Sequence, residues 1–72
     1  MKFNYDLKTD SLYIDLSEKT SVESEEIAPG VVADFDAEGN IVGLDIEHAS
    51  KTVNIHHIET KDLPFGDIAL SA

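Results

Sequence analysis

The chain lacks cysteine, arginine and any long apolar run. Without cysteine it can form neither a disulfide nor a thiolate zinc site. Without arginine it has no guanidinium for a bidentate clamp on phosphate or carboxylate. No apolar run approaches the roughly 18 residues of a membrane span, and the segment after Met1 lacks the apolar stretch of a signal peptide. These absences predict a cytoplasmic protein that does not associate with membranes.

The most prominent feature of the sequence is its acidity. Fifteen Asp and Glu residues face only five basic residues, which gives a formal net charge of −10. A chain this acidic repels phosphate, so we expect no binding to nucleic acid on its own. The same field attracts a basic protein partner. The alternative interpretation is that the charge only keeps a small sheet protein in solution.

The length of 72 residues predicts a single domain, near the lower limit at which a core sustains a fold unaided. A hydrophobic content of 42% is too high for a disordered chain. Since no disulfide supports so small a core, self-association is expected. Small residues near the end predict that residues 66–72 fray.

Alternation of apolar and polar residues predicts a first hairpin near the start of the chain. Matching the apolar faces pairs Tyr5 with Leu12 and Phe3 with Ile14. This register leaves a four-residue loop over residues 7–10. It also places Lys2 opposite Asp15, a favourable cross-strand pair.

A second hairpin is predicted on either side of Gly39 and Asn40, two residue types that tolerate positive φ. Matching faces pairs the apolar residues of the two strands and leaves a four-residue loop over residues 37–40. The predicted pairs are Phe35 with Val42, Ala33 with Leu44, and Val31 with Ile46.

The segments outside the hairpins are less regular. Residues 20–27 predict an acidic edge strand, and Pro29-Gly30 predicts a break or bulge before the next strand. In the tail, Asn54 could cap one helical turn over residues 55–58, followed by a short strand over residues 59–63. A longer helix over residues 52–63 competes with this, although its β-branched residues disfavour it.

The predicted fold is therefore mainly β: one antiparallel sheet of four to six strands, with at most one short helix near the C-terminus. The alternative is an α+β fold with a C-terminal helix packed on the sheet. The predicted core face consists of Phe3, Tyr5, Leu12, Ile14, Leu16, Val31, Ala33, Phe35, Val42, Leu44 and Ile46. The tail supplies too few apolar residues to cover it, namely Val53, Ile55, Ile58, Leu63 and Phe65. We therefore expect a homodimer that packs sheets or exchanges tails.

Several blocks, in the same order, resemble the domain-of-unknown-function family numbered 2283. They are residues 1–6, 10–14, 26–31, 36–44 and 49–51, with a weaker likeness over residues 53–65. The resemblance implies a small bacterial, archaeal or phage-associated protein whose tail forms a helical turn followed by a strand. Some members resemble the antitoxin half of gene pairs whose other half is similar to a small ribonuclease toxin. No catalytic residues follow from the resemblance.

The sequence offers little chemistry for catalysis. It has no glycine-rich phosphate loop and no serine in an elbow motif, so we expect a protein that is not an enzyme and needs no cofactor. His48, His56 and His57 raise the alternative of a metal- or ligand-binding protein. Adjacent histidines on a helical turn point about 100° apart, which disfavours one shared ion.

The polar face of the sheet predicts a partner-binding patch. Its members are Tyr13, Asp15, Val32, Asp34, Asp45 and Glu47, an aromatic and an aliphatic group among carboxylates. Either this patch is open to a partner, or the tail folds over it and buries it. We expect the side chains of Asp34 and Asp45 to point to solvent. The function predicted is a non-enzymatic interaction module, antitoxin-like and binding a basic protein; a structural homo-oligomer is the remaining alternative.

Overall fold

The computed structural model describes residues 1–64 and the backbone of residues 69–71. Its elements are β1 (Lys2–Asp6), β2 (Ser11–Asp15), β3 (Glu23–Ala28), β4 (Val31–Phe35), β5 (Ile41–Ile46), α1 (Ala49–Thr52), β6 (His57–Glu59) and β7 (Ala69–Ser71). The first five strands form one antiparallel sheet in the order β1-β2-β5-β4-β3, and β6 pairs with β7. The mainly β fold with one short helix near the C-terminus is confirmed.

The first hairpin has the predicted register. Phe3 lies opposite Ile14, Tyr5 opposite Leu12 and Lys2 opposite Asp15. The loop over residues 7–10 is confirmed as well. Face matching succeeds here because a slip of one residue would turn every apolar side chain of the strand to the wrong side.

In the second hairpin, the predicted register is confirmed at the open end and wrong next to the loop. Val31 lies opposite Ile46 and Ala33 opposite Leu44, but Phe35 lies opposite Ile41 instead of Val42. Val42 is therefore an extra residue in β5, a bulge that leaves its side chain 4% exposed.

The side chain of Asp36 explains the shift. Its Oδ1 accepts hydrogen bonds from the backbone N–H groups of Glu38 and Asn40, both at 2.9 Å. The Asp36 N–H also donates to the Asn40 carbonyl at 2.9 Å, so three residues remain in the loop instead of four. Of these three loop residues, only Gly39 takes a positive φ, +85°, as three-residue hairpin loops require.

The predicted acidic edge strand is present as β3, which pairs with β4. Ile27 is the extra residue of a bulge, because Glu26 lies opposite Val32 and Ala28 opposite Val31. Pro29 and Gly30 then form the two central residues of the turn, with φ +74° at Gly30. Proline followed by a positive-φ glycine is the pattern of a type II turn.

Pairing of β2 with β5 joins the two hairpins into one sheet. Ile14 lies opposite Leu44 and Leu12 opposite Ile46, so the apolar side chains of both hairpins share one face. Burial on this apolar face is greatest around β4 and β5, where Ala33 is 0% and Ile46 9% exposed.

A short connection after β5 attaches the helix to the first hairpin. His48 is in the left-handed region at φ 51°, and α1 follows it. Asp10 accepts hydrogen bonds at its carboxylate from the Ser50 N–H (3.1 Å) and hydroxyl (2.7 Å), and at its carbonyl from the Ala49 N–H (2.8 Å). Asp10 thus caps the start of a helix 40 residues away.

The tail differs from both predictions. The helix lies at Ala49–Thr52, before Asn54, and the longer helix over residues 52–63 does not form. The Asn54 side chain instead accepts a hydrogen bond from the His56 N–H at 3.2 Å, and the strand is His57–Glu59 rather than residues 59–63. Such an Asx turn competes with helix formation for the same backbone group.

The expected fraying of residues 66–72 falls largely outside the described residues, as does Phe65. The backbone of Ala69–Ser71 forms β7. In the part of the chain that is described, no helix combines the length and the apolar character needed to cross a membrane.

Candidate functional site on the polar face

The sheet order arranges the polar face in cross-strand rows. Asp45 lies between Tyr13 on β2 and Val32 on β4. In the next row, Gly43 lies between Asp15 and Asp34. Glu47 follows β5 at the end of the sheet, where its N–H donates to the Gly30 carbonyl at 2.8 Å. Five of the six predicted site residues therefore share one face, and the sixth borders it.

A hydrogen bond across β5 links two of these residues. The Tyr13 hydroxyl donates to Asp34 Oδ2 at 2.7 Å, and the other carboxylate oxygen accepts from the Ser24 hydroxyl at 2.6 Å. The Asp34 carboxylate on β4 thereby links β3, the neighbouring strand, to β2, which lies on the far side of β5. We call these three side chains the Tyr13–Asp34–Ser24 bridge.

The bridge depends on a missing side chain in β5. The Tyr13 ring passes over Gly43, where an added Cβ would overlap the phenol oxygen and lie 2.7 Å from Cζ. A glycine inside a strand commonly marks such a close approach. Gly43 itself is buried, because the ring covers it.

The hydrogen bond to Asp34 raises the pKa of Tyr13 to about 12, with smaller contributions from partial burial and from the charges of Asp34, Asp15 and Asp45. The phenol is therefore a protonated donor at neutral pH. The carboxylate in turn has both of its oxygens engaged, so the ring and the carboxylate hold each other in place.

The expectation that Asp34 and Asp45 both point to solvent is wrong for Asp34. Its carboxylate is partly buried and accepts two hydrogen bonds. Asp45 is half-buried like Asp34, but within residues 1–64 its carboxylate makes no side-chain hydrogen bond or ion pair. Sequence reasoning missed Ser24 and Gly43. The glycine inside β5 was the available signal for a close approach, but the neighbour that approaches depends on the sheet order.

The tail lies against the opposite, apolar face of the sheet. Residues 53–59 line one side of a groove of about 640 Å³, and β1, β2 and the end of β5 line the other. Residues 53–59 therefore do not bury the polar patch. Of the predicted covering residues, Val53, Ile55 and Ile58 contribute to the groove, whereas Leu63 is 39% exposed.

The three histidines do not converge. His56 and His57 line the groove, while His48 precedes α1. His57 Nε2 lies 3.4 Å from the Glu59 carboxylate. Among the described residues, no three side chains of His, Cys, Asp or Glu come together in a way that could hold one metal ion.

Comparison with known proteins gives one match. Residues 2–50 match the model of a family described as protein of unknown function (DUF2283). No curated protein matches the chain, and no solved structure does. The matched segment covers all of β1 to β5 and the Tyr13–Asp34–Ser24 bridge. Because the match covers more than half of the 72 residues, the chain belongs to the DUF2283 family.

Proposed function

We propose that this protein is a non-enzymatic interaction module that binds a basic protein through the polar face of its sheet and works as a homodimer. The observation that carries the proposal is the Tyr13–Asp34–Ser24 bridge, which fixes an aromatic side chain among carboxylates. An antitoxin-like role, with a small basic toxin as partner, is the form of this function that the family resemblance favours.

The charge and the bridge contribute to binding in different ways. The net charge of −10 attracts a basic surface over a long range and mainly speeds the encounter. The Tyr13 ring is held by Asp34 and lies over Gly43, so it loses little conformational freedom when a partner covers it. A preorganised tyrosine is a favourable interface anchor.

The hydrogen bonds of the bridge support a binding role. With its pKa raised to about 12 by the bond to Asp34, the Tyr13 hydroxyl stays a donor to this carboxylate over a wide range of pH. Asp34 already accepts hydrogen bonds at both of its oxygens. These polar groups satisfy one another and leave a rigid surface for a partner.

The test is the binding kinetics of a partner recovered by co-purification from the native cell, at low and high salt. Asp45→Lys should slow association at low salt and lose this effect at high salt. Tyr13→Ala should speed dissociation by roughly tenfold or more. Glu25→Lys is the matched control, because it makes the same charge change on the other face of the sheet.

The proposal predicts a clear difference between the two charge reversals. If Asp45→Lys and Glu25→Lys have equal association rates, and salt does not change the wild-type rate, the acidic face is only a solvated surface. The stability of each variant should also be measured by urea unfolding. Tyr13→Ala removes one end of the bridge and can therefore lower stability as well as binding.

A further inference from the structure

The chain exposes more surface than a compact monomer of its size. Its accessible surface is 5473 Å², whereas a folded monomer of 7.9 kDa exposes about 4,400 Å². Its radius of gyration is 13.2 Å, against about 11 Å for a compact chain of this length. The surplus of about 1,000 Å² is similar to the roughly 800 Å² that each partner buries in a standard protein interface.

Part of the exposed surface is apolar and lies on β1. All five residues of β1 are exposed, although Phe3 and Tyr5 belong to the apolar face. Phe3 is 46% and Tyr5 40% exposed, and across the groove Val53 is 37% exposed. Within the described part of the chain, residues 53–59 therefore cover these two aromatic side chains only in part, whereas a sheet of this kind needs a full second layer.

Tyr5 is suited to be an interface anchor. Its hydroxyl donates to Asp10 Oδ1 at 2.6 Å, so its polar end already has a partner within the chain. The ring can then be covered without leaving a buried donor unsatisfied. Asp10 also holds Ser50 at the start of α1, which fixes the hydroxyl's acceptor in place.

The distribution of charge allows two acidic chains to meet at the apolar face of β1 and β2. The sheet residues that line the groove are all apolar or aromatic: Phe3, Tyr5, Leu12, Ile14 and Ile46. The carboxylates Glu23 and Glu25 lie across from Phe35 and Ala33, at the β3 edge of the sheet and far from β1. Asp15, Asp34 and Asp45 lie on the opposite face. On the side of β1 and β2 the nearby carboxylates are Asp10, which accepts the Tyr5 hydroxyl, and Glu59 on the tail side of the groove.

We infer that a second copy of this chain packs on the apolar face of β1 and β2, in a two-fold interface centred on Phe3 and Tyr5. In such a symmetric interface the same patch serves both copies. The inference rests on the homodimer proposed above and names the surface that forms it. It leaves the polar faces of both copies open, one on each side of the dimer.

The test uses sedimentation equilibrium at micromolar concentration with a matched pair of variants. The wild type should sediment at twice its chain mass. Phe3→Glu should raise the dimer dissociation constant by at least about 30-fold, as expected for a central anchor. Ile41→Glu is the control, because Ile41 is 43% exposed and lies outside the groove, so the dimer should persist.

A second measurement does not depend on the folding of a variant. In a mixture of isotope-labelled and unlabelled wild-type chains, filtered nuclear Overhauser spectra should show contacts between chains at the Phe3 and Tyr5 rings. Contacts along the backbone of β1 alone, or at Tyr13, would place the dimer elsewhere and overturn the inference while leaving the homodimer.

The remaining outcomes separate this inference from partner binding. A monomeric wild type would overturn both the homodimer and its interface, and salt-dependent binding through Asp45 would be unaffected. If a monomer's groove resonances shift on addition of decanoate, the groove is a site for small apolar ligands and not for a second copy.

Discussion

The Tyr13 hydroxyl lies 2.7 Å from the Asp34 carboxylate although a whole strand separates the two residues. The glycine in that strand makes the contact possible, because any larger residue at position 43 would occupy the space of the ring. Sheet order and one missing side chain therefore determine the geometry of the candidate site together.

Gly43→Ala should lower the free energy of unfolding by about 2 kcal/mol, because the added methyl displaces the Tyr13 ring and breaks its bond to Asp34. Urea unfolding of the variant checks this. In a Tyr13→Ala background the same substitution should cost much less, since no ring remains to be displaced. Equal costs in the two backgrounds would show that the alanine acts elsewhere.

The titration of Tyr13 should be visible by ultraviolet absorbance in a Tyr5→Phe chain, where it is the only tyrosine. The folded-state pKa of about 12 exceeds the ordinary value of 10.0, so the native state holds this proton more tightly. Stability from the bridge should then be complete below pH 10 and decline as the pH rises towards 12. Asp34→Asn should bring the pKa back towards 10; an unchanged pKa would contradict the assigned cause.

The protein should lose folding stability in acid when the Asp10 carboxylate becomes protonated. Hydrogen bonds from Tyr5 and then from Ser50 hold the pKa of its carboxyl below the ordinary value of 3.8. Its contribution is present above that value and is lost as the pH falls through the lower folded-state pKa. The difference in urea midpoint between wild type and Asp10→Asn should shrink below about pH 4. A difference independent of pH would show that the charge of Asp10 does not matter.

His48 should act through its backbone. At φ 51° a non-glycine residue is strained, so His48→Gly should keep or raise stability. His48→Val should lower it by about 1–2 kcal/mol, since a β-branched residue tolerates this conformation least. Thermal unfolding of both variants measures the difference. If both substitutions lower stability equally, the imidazole contributes a contact that matters more than the backbone.

The registers near the open ends of the hairpins follow from the sequence alone. Phe3 meets Ile14, and Val31 meets Ile46, because these pairings put the apolar side chains on one face and leave a short loop. The slip at Phe35 could not be predicted in this way. It depends on hydrogen bonds accepted by the Asp36 carboxylate. The alternation of apolar and polar residues does not reveal such bonds.

The residues of the candidate site were individually predictable, but their connections were not. Alternation places Tyr13 and Asp34 on polar faces of separate hairpins. Their contact requires β2 to pair with β5, a neighbour far away in the sequence. Ser24 belongs to the bridge because β3 pairs with β4, which places it opposite Asp34.

The position of β2 beside β5 also has a consequence for the order of folding. The strands β3, β4 and β5 form a meander of local contacts, whereas β2 reaches β5 only by closing a loop that contains the whole β3–β4 hairpin. Loop closure of this kind is entropically slow, so we expect the meander to be structured first and the first hairpin to dock late. Substitutions at Tyr13 should then accelerate unfolding and leave the refolding rate nearly unchanged. The strand that completes the candidate site is, on this pathway, among the last parts of the sheet to arrive and the first to leave.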